Sequence, residues 1–310
     1  MTSVAIGARW RTTVPRAAPF TGVLMCPPEH FAVIDVKNVF MEGQLGAVDR
    51  ARASAQWRGL ADAYRALGVA VHVLPAEPGR EDMVFTANGA CVLPREHGGA
   101  DVVLSRMRHG SRAAEVPHLG RWLERAGFSP RVLPAGTGHL EGHGDVLAVP
   151  GRRLLLGGHG GRSEAAALAA LAGVLGAPVV PLPLRGEVFY HLDTCLAVLD
   201  EDSVLLHPPA FVPEALATLA ELFPRRIEAE PGEAREQLAC NAHALPSGHV
   251  LLPAGAPRTA ERLRRHGYEP VPVDVSEFHK SGGSVFCLRL ALPDLPSPAS
   301  AELSGGRAGG

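Results

Sequence analysis

The sequence predicts an α/β domain made of five repeating units, each with two strands, one helix and a further strand. A helix-like segment that ends at a turn and leads into a short apolar strand recurs at intervals of roughly 45 to 60 residues, which is a typical repeat period. Short apolar segments that read as further strands lie between these junctions. The junctions are at residues 64–74, 123–133, 172–182, 219–228 and 263–273, and the further strands at 90–93, 102–104, 146–149, 154–156, 196–199, 204–206 and 250–252.

Five such units that close on themselves would form a ring, a pseudo-symmetric five-bladed α/β propeller with ββαβ units around a central pocket. An ordinary α/β sandwich with accidental regularity is the alternative. Four of the five junctions carry a glycine at the end of the predicted helix, where a left-handed residue commonly terminates a helix. They are Gly68, Gly127, Gly176 and Gly267, and the remaining junction has a proline at position 224 instead.

Length and composition indicate one soluble enzyme-sized domain. The chain has 310 residues, 46% of them hydrophobic, and a formal net charge of -2, so there is no general attraction to nucleic acid or to an anionic membrane. The five cysteines are widely spaced with no CxxC pair, which argues against a disulfide framework or a cysteine zinc site and for a reduced, cytoplasmic protein. We expect a loose leader at 1–20, one domain at 21–292 and a disordered tail at 293–310, with no signal peptide and no membrane span.

Polar residues interrupt the apolar pattern at five places, each in a different unit. A ring would point all five clusters at one central pocket. The clusters contain Asn38; Asp82 and Asn88; Glu141, His143 and Asp145; His191 and Asp193; and Cys287, which follows a glycine pair.

Two of these clusters carry residues suited to nucleophilic and acid–base chemistry. Cys287 is a candidate nucleophile, because the glycine pair Gly282-Gly283 allows a close approach of backbone to a ligand. A thiol of ordinary pKa needs a neighbouring base or positive charge, and a small buried hydrophobe is the alternative role. His191 and Asp193 would lie on the same side of a strand, which suits an acid–base imidazole with a carboxylate; a packed histidine is the alternative.

Charged residues of the remaining clusters suit the binding of an ionic ligand. Glu141 and Asp145, on either side of His143, would hold a cation such as a guanidinium, although a metal site or a solvated loop also fits. Arg162 lies in the glycine-rich turn 157–163 and would clamp a carboxylate, with Ser163 capping the next helix. A phosphate site or a simple capped turn are the alternatives there.

In their order along the chain, these clusters resemble the guanidine-modifying enzyme superfamily, also called the pentein fold. It includes dimethylargininase, arginine deiminase, arginine dihydrolase and glycine amidinotransferase. The resemblance spans about residues 21–292. It implies a five-bladed propeller and a hydrolase, without metal or cofactor, that cleaves a guanidinium C–N bond of arginine or a methylated arginine through a covalent thiouronium on the cysteine.

The resemblance also implies a role for each residue. Cys287 would attack the guanidinium carbon, His191 would protonate the leaving nitrogen and then activate water, and Glu141 would orient the imidazole or grip the guanidinium. The substrate-binding residues would be Asp82, Asn88, Asp145, Asp193 and Asn38 around the guanidinium, with Arg162 and Arg106 on the substrate carboxylate.

Some features depart from the family pattern or leave alternatives open. Deiminases and dimethylargininases usually have aspartate where Asn88 stands, and together with Asn38 this is closer to the arginine dihydrolase branch. An amidinotransferase, which passes the amidino group to an amine, is one alternative. A non-catalytic binding protein of the ribosome anti-association type is another, although it would not need Cys287. A small guanidino compound is the expected partner, and a homodimer is an open option.

Overall fold

The computed structural model describes residues 10–186 and 188–295, and within them the strands form five separate sheets. No helix in these two ranges is long and apolar enough to cross a bilayer. The strands are β1 (Gly22–Met25), β2 (Ala70–Val73), β3 (Ala90–Pro94), β4 (Ala100–Leu104), β5 (Val146–Ala148), β6 (Leu155–His159), β7 (Val179–Pro183), β8 (Leu196–Val198), β9 (Ser203–Leu206), β10 (Arg225–Glu228), β11 (His243–Ala244), β12 (His249–Pro253), β13 (Glu269–Val273) and β14 (Leu290–Leu292).

The helices connect these strands. They are α1 (Trp10–Thr13), α2 (Arg50–Ala66), α3 (Gly110–Ala113), α4 (Val116–Arg125), α5 (Gly142–Asp145), α6 (Ala165–Leu175), α7 (Pro213–Leu222), α8 (Pro231–Glu236), α9 (Pro257–Arg265) and α10 (Ser276–His279). Short 3-10 turns occur at Val39–Met41, Thr86–Gly89, Leu192–Thr194 and Pro208–Ala210.

The same small sheet recurs along the chain. In four sheets the central strand pairs antiparallel with one neighbour and parallel with the other: β14-β1-β2, β5-β6-β7, β8-β9-β10 and β11-β12-β13. In the remaining sheet β3 pairs antiparallel with β4, and a single parallel bridge from Val103 to Arg131 stands where the third strand would be. The predicted group of three strands is therefore complete in four sheets, and the fifth sheet has two strands and a single bridge.

The glycines at the ends of four predicted helices have the expected conformation. Gly68, Gly127, Gly176 and Gly267 all have positive φ, between 59° and 89°. At Gly176, for example, φ and ψ are 59° and 35°, and its N–H donates to the carbonyl of Ala172 in the last turn of α6. Gly68, Gly176 and Gly267 thus each turn the chain from a helix into a strand that pairs parallel with the strand before that helix. Gly127 leads instead to the single parallel bridge at Arg131.

The segment 10–20 is packed rather than loose. Trp10 is 1% exposed and lies in the apolar cluster with Leu154 and Leu206. Arg11 forms an ion pair with Asp202, with a distance of 2.9 Å between Nη2 and Oδ1. The rest of the predicted leader, residues 1–9, and the tail from 296 onward lie outside the described residues.

Candidate active site

Six of the ten residues singled out from the sequence line one pocket: Asn38, Asp82, Asn88, Arg162, His191 and Cys287. The loops that carry them follow or precede strands of different sheets. The pocket holds a free volume of only about 20 Å³, which is room for about one water molecule. A larger cavity of about 400 Å³ lies elsewhere and has none of these residues on its walls. The small pocket therefore carries the chemistry, and it is closed in this conformation.

Cys287 lies in the turn that precedes β14. Its Sγ is 3.2 Å from Oδ2 of Asp193, to which the thiol donates, and 3.2 Å from Nδ2 of Asn241, which donates to the sulfur. Burial raises the pKa of the Cys287 thiol well above its ordinary value, and the carboxylate of Asp193 raises it further. The thiol is therefore protonated when no other cation is close, and a cation bound beside it would favour the thiolate.

Asn241 fixes the position of the thiol and was missed in the sequence. Its Oδ1 accepts hydrogen bonds from the backbone N–H groups of Phe286, at 2.9 Å, and of Cys287, at 3.2 Å. Its Nδ2 donates to the carbonyl of Asp193 as well as to the sulfur. The signal in the sequence is an asparagine in an apolar stretch, because a buried amide must find partners for all its polar groups.

His191 and Glu141 form a buried ion pair. Nε2 of His191 is 2.7 Å from Oε2 of Glu141, whose other oxygen accepts from the backbone N–H of Arg108 at 3.0 Å. Burial opposes the charge on His191, but Asp145 and Glu141 outweigh it and raise the pKa of the imidazole. Burial also opposes the charge on Glu141, yet the bond to His191 and nearby cations hold the pKa of the carboxyl well below its usual range. The pair favours an imidazolium, which is a general acid.

Asp193 lies in a short 3-10 turn and not in the predicted strand. Residues Leu192–Thr194 form a 3-10 turn, so the alternation of a strand does not apply. The turn aims the carboxylate at Cys287, and within the described residues Oδ1 of Asp193 has no hydrogen-bond partner. Burial raises the pKa of Asp193 to about 6, in spite of the nearby His191. A bound cation would supply the missing donor and the missing charge.

Asp145 and His143 bind backbone groups next to the site residues and do not line the pocket. Asp145 accepts from the backbone N–H groups of Leu192 and Ser163, both at 3.1 Å, and lies 4.0 Å from Nε2 of His191. It does not line the pocket. His143 donates from Nδ1 to the carbonyl of Val146 and accepts at Nε2 from the N–H of Val92.

The contacts of His143 do not support the alternative of a metal site in the loop 141–145. Burial lowers the pKa of His143 to about 4, and both its nitrogens are engaged with backbone. In the described ranges there is no group of three side chains suited to a metal ion. Ser163 also has a different role from the predicted helix cap: Glu164 is the N-cap of α6, and the Ser163 hydroxyl accepts from the N–H of Glu141 at 2.9 Å.

Three of the substrate-binding candidates, Asp82, Asn38 and Asn88, line the pocket and are each held by neighbouring side chains or backbone. Asp82 accepts from Oγ of Ser281 at 3.1 Å and lies 3.2 Å from Nζ of Lys37. Asn38 donates from Nδ2 to the carbonyl of Ser281 at 3.0 Å, and its Oδ1 caps the following 3-10 turn. Oδ1 of Asn88 accepts from Nη1 of Arg112 at 3.1 Å.

Arg162 is inside the pocket and Arg106 is outside it. Arg162 is 3.4 Å from Oε2 of Glu141, donates to the carbonyl of Lys37 at 2.7 Å and lies over the Tyr190 ring. The guanidinium of Arg106 instead donates to the Thr137 hydroxyl and to three backbone carbonyls, those of Leu133, Pro134 and Gly138. The structure therefore does not support a substrate contact for Arg106. Four charged or polar residues of the pocket were not predicted from the sequence: Lys37, Arg112, Tyr190 and Ser281.

The glycine pair before Cys287 allows the close packing of this wall. Gly282 has φ of +77°, in the left-handed region. A Cβ at Gly283 would lie 2.1 Å from Cε1 of Phe85, so no other residue fits without a shift. The glycine pair Gly282-Gly283 thus allows the backbone to pack closely against the Phe85 ring.

Known proteins with similar sequences are enzymes that act on methylated arginine. A model of the eukaryotic N,N-dimethylarginine dimethylhydrolase family matches residues 27–210, and the dimethylarginine dimethylaminohydrolase of Mycobacterium tuberculosis is 40% identical over 86% of this chain and 84% of its own. This chain belongs to the dimethylarginine dimethylaminohydrolase family.

A further relative is an arginine dihydrolase by name, and a structure of its N-terminal domain is known. The bifunctional arginine dihydrolase/ornithine cyclodeaminase ArgZ of Synechocystis is 36% identical over 90% of this chain, which spans 39% of ArgZ. A crystal structure of the N-terminal domain of an ArgZ mutant, covalently bound to a reaction intermediate, is similar with a TM-score of 0.81 and 35% identity, over 88% of this chain and 99% of that domain. The α/β fold is therefore that of this enzyme group.

Proposed function

We propose that the protein is a hydrolase that cleaves a C–N bond in the guanidinium group of arginine or of an N-methylated arginine. One observation carries the proposal. The thiol of Cys287, the imidazole of His191 with its carboxylate Glu141, and the carboxylate of Asp82 converge on one small pocket. A nucleophile, a general acid and an anionic cradle are the three parts that this reaction needs.

The carboxylates bind and align the planar cation. Asp82 and Asp193 take the guanidinium nitrogens, since a guanidinium offers five N–H donors in a fork that carboxylates match. Asn38 and Asn88 complete the cradle through their amide oxygens, and Arg162 takes the carboxylate of the substrate. The bound cation also offsets the burial that keeps Cys287 protonated, so binding and activation of the nucleophile occur together.

In the first half of the reaction the sulfur replaces one nitrogen. Cys287 loses its proton to Asp193, which lies 3.2 Å away, and the thiolate forms a bond to the guanidinium carbon. The C–N bond then breaks, and the imidazolium of His191 gives its proton to the leaving nitrogen, which departs as ammonia, methylamine or dimethylamine. An S-alkylthiouronium on Cys287 remains. In the ArgZ domain a covalently bound reaction intermediate has been seen.

In the second half water replaces the sulfur. The neutral imidazole of His191 takes a proton from water, the hydroxide oxygen bonds to the thiouronium carbon, and the C–S bond breaks. The product is a ureido compound that releases its extra proton to solvent, and Asp193 returns to the thiolate the proton that it took in the first half. Glu141 keeps the ring of His191 in place through both transfers, because its own second oxygen is tied to backbone.

The number of hydrolysis steps depends on how firmly the first product is held. Asn88 is a neutral amide, and Arg112 donates to its Oδ1. An amide grips a guanidinium less symmetrically than a carboxylate does, so the ureido product stays mobile enough for a second attack by Cys287. This favours a dihydrolase over a dimethylargininase. We take the five sheets as the blades of a five-bladed propeller around this pocket, because four of them share one strand order and the fifth has its first two strands and a bridge.

Incubation of the purified protein with arginine and, separately, with asymmetric dimethylarginine tests the proposal. Chromatography scores citrulline, ornithine, dimethylamine and ammonia. Ornithine and ammonia from arginine support two hydrolysis steps, and citrulline alone supports one. Dimethylamine from the methylated substrate supports dimethylargininase activity. If the folded protein forms none of these products from either substrate, the proposal is wrong.

A further inference from the structure

Arg289 carries a buried guanidinium that has no part in the reaction described above. It lies two residues after Cys287, immediately before β14, and is 3% exposed. Its guanidinium carbon is 3.5 Å from the centre of the Phe286 ring, and its Nε has no hydrogen-bond partner within the described residues. A buried cation is costly unless an opposite charge lies close to it. Arg289 therefore needs a counter-charge in its surroundings.

Several polar side chains near Arg289 are neutral. The Tyr64 hydroxyl lies beside the guanidinium and 2.9 Å from Nδ1 of His243. Burial raises the pKa of Tyr64 and lowers that of His243, so neither carries a charge at neutral pH. Burial and then Arg289 itself lower the pKa of His143 to about 4. None of these three groups compensates the cation.

The opposite charge near Arg289 belongs to the active site. Burial lowers the pKa of Arg289 to about 10, and Tyr64, Asp193 and Cys287 oppose this fall. Of these three groups, Asp193 is the carboxylate. A pKa near 10 still leaves the guanidinium charged at neutral pH, as is usual for arginine.

Hydrogen bonds and packing connect Arg289 with Asp193 through two residues. Nδ2 of Asn241 donates to the carbonyl of Asp193 and to Sγ of Cys287. Oδ1 of Asn241 accepts from the N–H of Phe286 at 2.9 Å, and the guanidinium of Arg289 lies over the ring of that phenylalanine. Oδ1 of Asp193, like Nε of Arg289, is buried without a hydrogen-bond partner in the described part of the chain. The wall behind the thiol thus holds a carboxylate and a cation that are both incompletely paired.

We propose that Arg289 is a positioning residue for the nucleophile, a permanent cation behind Cys287 that keeps the carboxylate of Asp193 ionised, and so able to accept the thiol proton, before any substrate binds. This inference rests on the proposed function and deepens it. An opposite charge close to a carboxyl group favours its ionised form. Without Arg289, burial would hold Asp193 protonated over more of the neutral range, and a protonated Asp193 cannot take a proton from the thiol.

Other titratable groups also face Asp193. The carboxylate of Asp145 opposes its charge, whereas the imidazolium of His191 favours it. The remaining groups are uncharged at neutral pH, because burial raises the pKa of each: Tyr190, Cys195 and Cys287. Arg289→Met leaves all of these groups in place, so a change in the ionisation of Asp193 reports the loss of the Arg289 charge.

The dependence of kcat/KM on pH in Arg289→Met tests this role. Methionine keeps an unbranched side chain that can pack on Phe286, and it removes the charge. The acid limb of the native profile follows the ionisation of Asp193, whose pKa burial raises to about 6. We expect this limb to move by about one unit toward alkaline pH, with kcat/KM about tenfold lower at pH values below the native limb. The limb at high pH should stay in place.

Arg152→Met is the matched control. Arg152 is likewise buried and pairs with Glu201, with 3.2 Å between Nε and Oε2, but it lies on the wall of the larger cavity. Its replacement should leave both limbs of the profile unchanged. If Arg289→Met folds poorly, Arg289→Gln, which keeps a polar end without the charge, serves in the same comparison.

The free energy of unfolding tests the same role without turnover. The folded pKa of Asp193 lies above its ordinary value of 3.8, so this carboxyl group weakens the fold as pH rises from that value through about 6. A still higher pKa in Arg289→Met extends the loss toward about pH 7. Between about pH 6 and 8, where His143 and His243 stay neutral, the variant should therefore lose stability relative to the native protein. The same comparison in an Asp193→Asn background should show no such dependence on pH.

Two outcomes would overturn the inference: an acid limb that stays in place in Arg289→Met, or a loss of stability in this variant that is equal at both ends of that pH range. Either outcome would leave Arg289 a structural residue. Failure of the proposed function has a different signature. The native protein would then form no product from arginine or dimethylarginine, while the pH-dependent loss of stability in Arg289→Met would persist.

Discussion

Replacement of Glu141 by glutamine tests the electrostatic design of the site. The change keeps the size and shape of the side chain but removes the charge that lies 2.7 Å from Nε2 of His191. The side chains of Glu141 and His191 are 0% and 3% exposed, so water does not screen the pair. The pKa of His191, raised in the native protein in part by Glu141, should therefore fall.

The size of this fall follows from the strength of the bond. A hydrogen bond to a charged group contributes about 1.5–3 kcal/mol, and about 1.4 kcal/mol corresponds to one pKa unit. Because Asp145 remains 4.0 Å from Nε2 of His191, we expect the lower part of this range, a fall of about 1–2 units in the pKa of His191.

The assay is the dependence of kcat/KM on pH with arginine or dimethylarginine as substrate. If protonated His191 is the general acid, the limb at high pH moves by about 1–2 units toward acid, and at pH values above the native limb the activity falls by about 10- to 100-fold. An unchanged limb would refute the assignment of His191 and Glu141. The control is Glu164→Gln, which removes a carboxylate that pairs with His139 in an exposed position.

The free energy of unfolding gives a second measurement of the same pair. His191 has a raised pKa, so its contribution is complete below the unfolded value of about 6.5 and is lost as pH rises through the folded pKa. Glu141 has a lowered pKa, so its contribution is present above about 4.5 and is lost as pH falls. The difference in stability between native protein and Glu141→Gln should therefore be largest between about pH 4.5 and 6.5.

Three further substitutions have distinct expected results. Asn241→Ala removes the amide donor to Sγ and should slow labelling of Cys287 by a haloacetamidine about tenfold, measured by mass spectrometry; an unchanged rate would contradict the role of the amide. Arg106→Gln should leave KM within about twofold but lower the melting temperature by several degrees, since this guanidinium bonds backbone carbonyls; a large rise in KM would restore it as a substrate ligand. Gly283→Ala should reduce kcat/KM at least about tenfold, because its Cβ would lie 2.1 Å from a phenylalanine ring, whereas Gly173→Ala, with open space around it, should retain full activity.

The repeat and most of the site were predictable because their signals are local. A glycine that ends a helix is visible at one position, and the conformation at Gly176 is the one the pattern requires. The order of polar clusters placed Cys287, His191 and Asp82 at the same kind of position in different units, so a repeated fold brings them together. A cytoplasmic location and a homodimeric state remain predictions from the sequence.

The rest depends on contacts between distant segments. Asn241 acts on a cysteine 46 positions away, and no pattern near it shows that partner. Arg106 and Arg112 have the same charge a few residues apart, but the first is tied to backbone carbonyls and the second lines the pocket. The strand alternation expected at Asp193 failed because a 3-10 turn re-aims its carboxylate. Chain order thus predicts which residues belong to the site, whereas packing decides what each one contacts.

Acid quenching of a steady-state reaction, followed by peptide mass spectrometry, tests the mechanism most directly. Protein mixed with arginine or dimethylarginine should carry the mass of a thiouronium adduct on the peptide that contains Cys287, and Cys287→Ser should show neither adduct nor turnover. An adduct on a different residue, or full turnover by Cys287→Ser, would contradict the assignment of this sulfur as the nucleophile.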